Sequence, residues 1–293
     1  GSSSGSGAAV AANLCSIAIG TETSGSILNP ACNNSVVGIK PTVGLVSRTG
    51  VIPISHVQDT PGPLARTVED AAILLSAIAG VDEQDEATWS SLEKNCSDYT
   101  EFLDKDGLRG IRIGIPTSFL EKLNEEQRDI FARALEALRD AGACVVDVDM
   151  ATPQPWQSRS LVYEFKPCIN RYLSGLSRDV PVHSLKELIE FNKTRPAKML
   201  RYGQSVLIQS EQTSGTLKEP EYIQGRFKEE EESRTKGIDF VLKENKVEAL
   251  LFPGLMNAAI SARAGYPSIS LPAGYTEAGR PFGVIFTAGA YSE

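Results

Sequence analysis

Ile111-Arg112-Ile113-Gly114-Ile115, then Asn124 through Asp140, then Cys144-Val145-Val146-Asp147-Val148 read in order as a strand, a helix and a strand. The two short runs are apolar and rich in β-branched residues, and Pro116 ends the first because it cannot continue a ladder. Between them, Ile130, Phe131, Ala134, Leu135 and Leu138 recur at helical spacing on one face. Asn124 is placed to cap that helix and Gly142 to end it. A strand, an amphipathic helix and a second strand make a βαβ unit, which predicts parallel pairing through a right-handed crossover.

Working outward, Val247 to Phe252, Ser268 to Leu271 and Val284 to Thr287 are further strand-length apolar runs, punctuated by Pro253, Pro267, Pro272 and Gly274. Upstream, Ala8 to Asn13 reads as a small-residue helix, and Leu14 to Ile19 as a strand. Val36 to Ile39 and Leu45 to Val46 read as short extended pieces. Thr67 to Ala79 reads as a helix capped by Thr67, with Glu69 and Asp70 in its first turn and Gly80 as its stop. From about 152 to 243 the pattern is helical and charge-rich, and the mostly acidic run Lys228 to Arg234 is expected to be a solvated helix face. The prediction is an α/β fold: a mixed, largely parallel central sheet flanked by helices. Residues 1–293 form a single domain, with its core in 1–150 and 244–293 and a helical insertion at about 151–243.

The 293 residues carry a net charge of −8 and a 41% hydrophobic content, enough for a core. An acidic surface disfavours nucleic acid and anionic membranes, which leaves a small-molecule partner as the default; a homo-oligomer is compatible with this composition. No run approaches the ~20 apolar residues of a membrane span. Cytoplasmic placement is the default, with any targeting segment expected upstream. The five cysteines are widely spaced, with no metal-ligand pattern, and read as buried thiols; neither a metal nor a cofactor is expected.

The chemistry centres on Gly20-Thr21-Glu22-Thr23-Ser24-Gly25-Ser26. This small-residue turn presents a hydroxyl at its end, where successive backbone N–H groups can face a reacting carbonyl. Ser26 is therefore the candidate nucleophile. Its proton acceptor could be a histidine or a lysine held neutral by burial. His56 lies in a turn-like segment and His183 just before a helix start, so both have structural readings, which points to a Ser-Lys type.

Several segments resemble the amidase signature family: Gly1-Ser2-Ser3-Ser4-Gly5-Ser6-Gly7, the Ser26 turn, Gly38-Ile39-Lys40-Pro41-Thr42, Asp59-Thr60-Pro61-Gly62-Pro63 and Ala264-Gly265-Tyr266-Pro267. The resemblance implies a Ser-Ser-Lys triad and an acyl-enzyme route from a carboxamide to a carboxylate plus ammonia or amine. Ser26 would be the nucleophile. Ser2, 24 positions earlier, would be the bridging serine that follows a cis peptide bond. The backbone N–H groups of Thr23, Ser24, Gly25 and Ser26 would form the oxyanion hole.

The family's lysine lies upstream of the first serine motif, where this sequence begins. Lys40 matches a different family position, and its expected job is structural. The sequence is thus expected to be a fragment at both ends, with apolar surface left uncovered. Ser24 and Leu28 depart from many relatives beside the nucleophile. Two alternatives are a catalytically silent remnant or binding module, and the amide-transferring A-type subunit of a tRNA-dependent amidotransferase. Ser91-Leu92-Glu93-Lys94 fits a Ser-x-x-Lys pattern but is expected to be a solvated loop.

Overall fold

A computed structural model describes residues 1–150 and 160–293. Its strands are β1 (Ile17–Glu22), β2 (Val37–Lys40), β3 (Thr60–Ala65), β4 (Arg112–Pro116), β5 (Cys144–Val148), β6 (Ala249–Pro253), β7 (Ser268–Tyr275) and β8 (Pro281–Thr287). They form one sheet in the order β1-β3-β2-β7-β8-β6-β4-β5. The predicted βαβ unit is present: β4 and β5 pair in parallel, from Arg112 opposite Cys144 to Pro116 opposite Val148. β6 joins β4 in parallel as well.

The sheet is mixed, as expected, but it is not largely parallel. Every other pairing, from β1–β3 through β2 and β7 to β8–β6, is antiparallel. Parallel neighbours need a long connection, which the helix Glu125–Asp140 supplies between β4 and β5. β7 and β8 are joined by a short turn around Gly279 and so pair antiparallel.

Helices α1 (Ser4–Ala11), α2 (Leu28–Asn33), α3 (Val68–Ile78) and α4 (Glu125–Asp140) come from the first half. Caps anticipated from the sequence set two of these boundaries. Thr67 Oγ1 accepts from Asp70 N at 3.0 Å. Asn124 and Gln127 form a reciprocal capping box, a device worth about 1 kcal/mol. Between β5 and β6 lie α5 (Ser160–Ser174), α6 (Leu185–Lys193), α7 (Pro196–Met199), α8 (Ser205–Glu211), α9 (Pro220–Glu230) and α10 (Asp239–Asn245); α11 (Ala258–Ala264) follows β6. The start of the expected insertion, 151–159, lies outside the described residues. The glycine-serine opening is largely helical, since Ser4 to Gly7 belong to α1.

Side-chain alternation along β6 places two cores on opposite faces of the sheet. Leu251 packs with Ile113, Ile115, Ile130, Phe131 and Val284 beneath α4. Leu250 and Phe252 pack with Phe119, Ile238, Val241 and Ile260, covered by α10 and α11. At the other end, Val37, Leu45, Ala71 and Leu75 pack under α3, while Val10, Ile27, Ala31 and Leu64 join α1 and α2. β1 is an edge strand, and it leaves Ile17 and Ile19 exposed. The cysteines are all free; Cys32 is buried as expected, but Cys144 is exposed.

β3 was legible only as a motif, because Thr60-Pro61-Gly62-Pro63 has the composition of a turn. It is nonetheless a fully buried strand. The prolines are tolerated because β2 pairs only with Leu64 and Ala65, so Pro61 and Pro63 are flanked by a ladder on the β1 side alone. Gly62 is needed for contact rather than conformation. A Cβ there would lie 2.1 Å from the Ile39 carbonyl oxygen and 2.7 Å from the Pro41 ring. Gly62→Ala is expected to lower unfolding free energy by on the order of 3 kcal/mol through overpacking, measured by urea denaturation; an unchanged midpoint would show that β2 and β3 can separate freely.

Candidate active site

The turn that carries Ser26 connects the end of β1 to the start of α2. Gly25 sits at its apex with φ +77°, a conformation that L side chains rarely adopt. The built Cβ position of Gly25 faces Ala258 Cβ at 3.5 Å, so α11 packs directly against the turn. Ser26 and Thr23 are half-buried and Ser24 is exposed.

Two buried carboxylates grip this turn from either side. Glu22, 1% exposed, accepts at Oε2 from Ile27 N at 2.7 Å and Leu28 N at 2.9 Å, the two amides directly after Ser26. The Gly25 amide also leans toward this carboxylate. On the other side Asp59 Oδ1 accepts from Thr23 Oγ1 at 2.6 Å, and Asp59 Oδ2 accepts from Ile54 N at 2.7 Å and Ser55 N at 2.8 Å. Gln58 Nε2 donates to Thr23 O at 3.0 Å. With the neighbouring amides engaged in this way, the N–H groups of Ser24 and Ser26 find no acceptor among the described residues.

The first serine motif lies against the same turn. Ser3 N donates to Ser26 O at 3.3 Å, and a Cβ on Gly1 would sit 3.0 Å from Gly25 O. Ser2, exposed, is therefore held between two residues that touch Gly25 and Ser26. Ser3 Oγ accepts from Thr21 N at 3.0 Å, which ties the motif to β1. No peptide bond is cis among the described residues, so the cis bond that the resemblance implied before Ser2 is not present.

Neither histidine reaches Ser26. His56 Nδ1 lies 4.0 Å from Cys168 Sγ, and His183 Nδ1 lies 3.2 Å from Leu173 O. Burial and the nearby Arg226 and Arg48 hold the His56 pKa below its ordinary value. Burial drives the Cys168 thiol up to about 11, so it is not a thiolate nucleophile near neutrality. Ser91 of the Ser-x-x-Lys stretch donates to Thr88 O within a short 3₁₀ turn, and Lys94 sits 4.5 Å from the centre of the Tyr291 ring. A shallow charged concavity lined by Asp129, Arg133, Glu136 and Arg139 lies along α4 and shares no residue with the turn.

Glu22 and Lys40 are buried charges beside the turn whose burial the sequence pattern did not show. Lys40 is fully buried, and its Nζ donates to Pro41 O at 3.0 Å. Burial lowers its pKa to about 8, opposed by attraction to Glu22 and Glu293. Burial likewise raises the Glu22 carboxyl, opposed first by Lys40 and then by the backbone amides. Glu22 Oε1 has no hydrogen-bond partner among the described residues, so Lys40 is a principal compensation for its charge. The alternation of β1 could have placed Glu22 on the buried face; nothing in its composition distinguishes it from a solvated acid.

A family model described as Amidase matches residues 1–263, and the chain belongs to the amidase family. It is 40% identical over 296 aligned positions to a "Probable amidase" of Arabidopsis thaliana, covering all of this chain and 57% of the relative. The native peptide amidase from Stenotrophomonas maltophilia superposes with a TM-score of 0.92 at 42% identity, covering the whole chain and 62% of that structure. The A-type subunit of the glutamyl-tRNA(Gln) amidotransferase from Syntrophus aciditrophicus is 32% identical over the whole chain and 64% of its own length. The chain thus spans less than two thirds of the length of these relatives.

Glu22 and Lys40 attract each other across the interior, so their removal is expected to be non-additive: the loss of unfolding free energy in Glu22→Gln/Lys40→Met should differ from the sum of the two single losses by at least about 0.5 kcal/mol, read from urea denaturation. Additive losses would separate the two residues energetically. The pH sign follows from Lys40 losing its proton near 8 when folded and near its ordinary 10.5 when unfolded. Between those values the unfolded chain holds more protons, so stability rises with pH. Lys40→Met should abolish that rise.

Proposed function

We propose that Ser26 is the nucleophile of an amide-hydrolysing site. The observation that carries this reading is the tethered, positive-φ turn at Gly25, gripped by Glu22 and Asp59, which holds the Ser26 hydroxyl half-exposed beside free backbone donors. Ser26 Oγ attacks the carbonyl carbon, and its proton passes through Ser2 to the base. The oxyanion is met by backbone N–H groups of the stretch Thr23, Ser24, Gly25 and Ser26. Those of Ser24 and Ser26 are the foremost donors, because Gly25 leans toward Glu22. One such donor is worth about 2.7–4 kcal/mol in a comparable site. Collapse of the tetrahedral species breaks the C–N bond, and the leaving nitrogen takes a proton as ammonia or amine. Water then cleaves the Ser26 ester to the carboxylate.

The base is assigned to a lysine outside these 293 residues, in keeping with a chain that covers 57–62% of its relatives. Lys40 is not assigned as that base: it is fully buried, and its Nζ is engaged with Pro41 O. The likeness to a peptide amidase at 42% identity supports a carboxamide on a peptide-like acyl group as substrate. The amidotransferase relative supports a second reading, in which the amide is that of glutamine and the ammonia is passed to a partner-bound acceptor.

The full-length protein should take up a fluorophosphonate probe at Ser26 and release ammonia from peptide carboxamides. Ser26→Ala should abolish labelling and lower turnover by at least about 10⁴-fold; undiminished labelling would move the nucleophile elsewhere. Ammonia released from glutamine but not from peptide carboxamides would favour the second reading.

A further inference from the structure

Beneath the helices of residues 160–245 lies a buried polar chain that the proposed chemistry does not use. Glu164, on α5, is fully buried. Its Oε2 accepts from the Ser55 hydroxyl. Its Oε1 accepts from Tyr222 OH of α9 at 3.0 Å and lies 3.7 Å from Arg226 Nε. Arg226 continues to Glu229 Oε2 at 2.7 Å, and Glu229 Oε1 lies 3.3 Å from Arg263 Nε of α11. Glu229 falls in the acidic run expected to be solvated, yet it is 2% exposed. Sequence pattern misread it because the inward position one turn on, Ser233, is polar too, so the buried stripe leaves no apolar period within the run.

Followed in the other direction, the chain runs to the nucleophile. Ser55, whose hydroxyl meets Glu164, gives its amide to Asp59 Oδ2; Asp59 Oδ1 takes the Thr23 hydroxyl; and Thr23 opens the turn that ends at Ser26. One helical turn along α5 from Glu164, Cys168 faces His56, so a single face of α5 rests on the Ser55–His56 segment. The far end also returns to the turn, because α11 carries both Arg263 and the Ala258 that packs on Gly25. Helices α5 and α9 are therefore tied to the Ser26 turn by a chain of polar contacts, and α11, at the far end of that chain, meets the turn through apolar Ala258.

A buried carboxylate is an expensive way to hold two elements together, and an apolar side chain of similar volume would often do so at lower cost. What a carboxylate adds is direction: two acceptor atoms that fix the donors on both sides. We propose that Glu164 is a positioning residue for Ser26, setting the nucleophile turn through Ser55, Asp59 and Thr23 according to the placement of α5 and α9. This rests on the reading of Ser26 as nucleophile. It predicts that the helical segment controls the acylation step rather than substrate affinity alone.

The test uses the full-length protein carrying Glu164→Leu, which removes both acceptors, and Glu164→Gln, which keeps an acceptor for Ser55. Glu164→Leu should lower kcat at least 10-fold with KM within about two-fold, and Glu164→Gln should restore kcat to within about three-fold of wild type. Hydrogen exchange of amides 23–28 should be at least 10-fold faster in Glu164→Leu and near wild type in Glu164→Gln. Should Glu164→Leu fail to fold, Ser55→Ala removes the same link from the other side and is expected to give the same loss confined to kcat. Wild-type kcat and wild-type exchange in Glu164→Leu or Ser55→Ala would overturn the proposal, as would a loss confined to KM or faster exchange spread evenly over the sheet. If wild type neither releases ammonia nor labels at Ser26, the nucleophile reading fails. Exchange at 23–28 still decides whether Glu164 holds the turn.

Discussion

The grip of two buried carboxylates on one glycine-centred turn is the constraint around which this structure is arranged. A chain that reverses at Gly25 with positive φ exposes several amides at once, and a buried amide without an acceptor is costly. Glu22 satisfies those that follow Ser26, and Asp59 ties down the side chain at the start of the turn. Both carboxylates are themselves buried, so each draws in further groups. Lys40 approaches Glu22 from β2, and the Ile54 and Ser55 amides close on Asp59. The placement of β2 and β3 beside β1 is thus tied to the chemistry of the turn as well as to hydrophobic packing.

The same logic explains the unusual strand β3. Its motif, Asp59-Thr60-Pro61-Gly62-Pro63, begins with the residue that holds Thr23 and continues into a strand antiparallel to β1, which delivers Glu22 and the turn. Gly62 lets the Ile39 carbonyl and the Pro41 ring approach closely, and that approach positions Lys40 in the interior. Prolines and glycine that look like loop residues here serve a strand whose neighbours sit unusually near.

Much of the candidate site was legible because it is local. Ser26, Gly25 and the small residues around them lie in one short segment, and the turn's chemistry follows from that composition. Ser2 was legible only through resemblance; its approach to the turn is made by Gly1 and Ser3 across the fold. Glu22 lies within the motif without any local sign of its role, since burial is a property of where β1 lies in the sheet. Glu164, Ser55, Tyr222 and Glu229 left no signal at all. They are far apart in the chain, and each alone has the pattern of an ordinary helix or loop residue.

The sequence by itself determined the elements whose causes are short-range: the βαβ unit at 111–148, the capped helices α3 and α4, and the small-residue turn at Gly25. Propensity, capping and hydrophobic period act within a few residues and survive in any context that permits the fold. Only the tertiary structure decided the mostly antiparallel sheet, the burial of both Lys40 and Glu22, and the polar chain that runs from Thr23 through α5 and α9 to α11. Those depend on which distant segments share one low-dielectric interior, where a charge must find its partner or not form, and no local pattern specifies that choice.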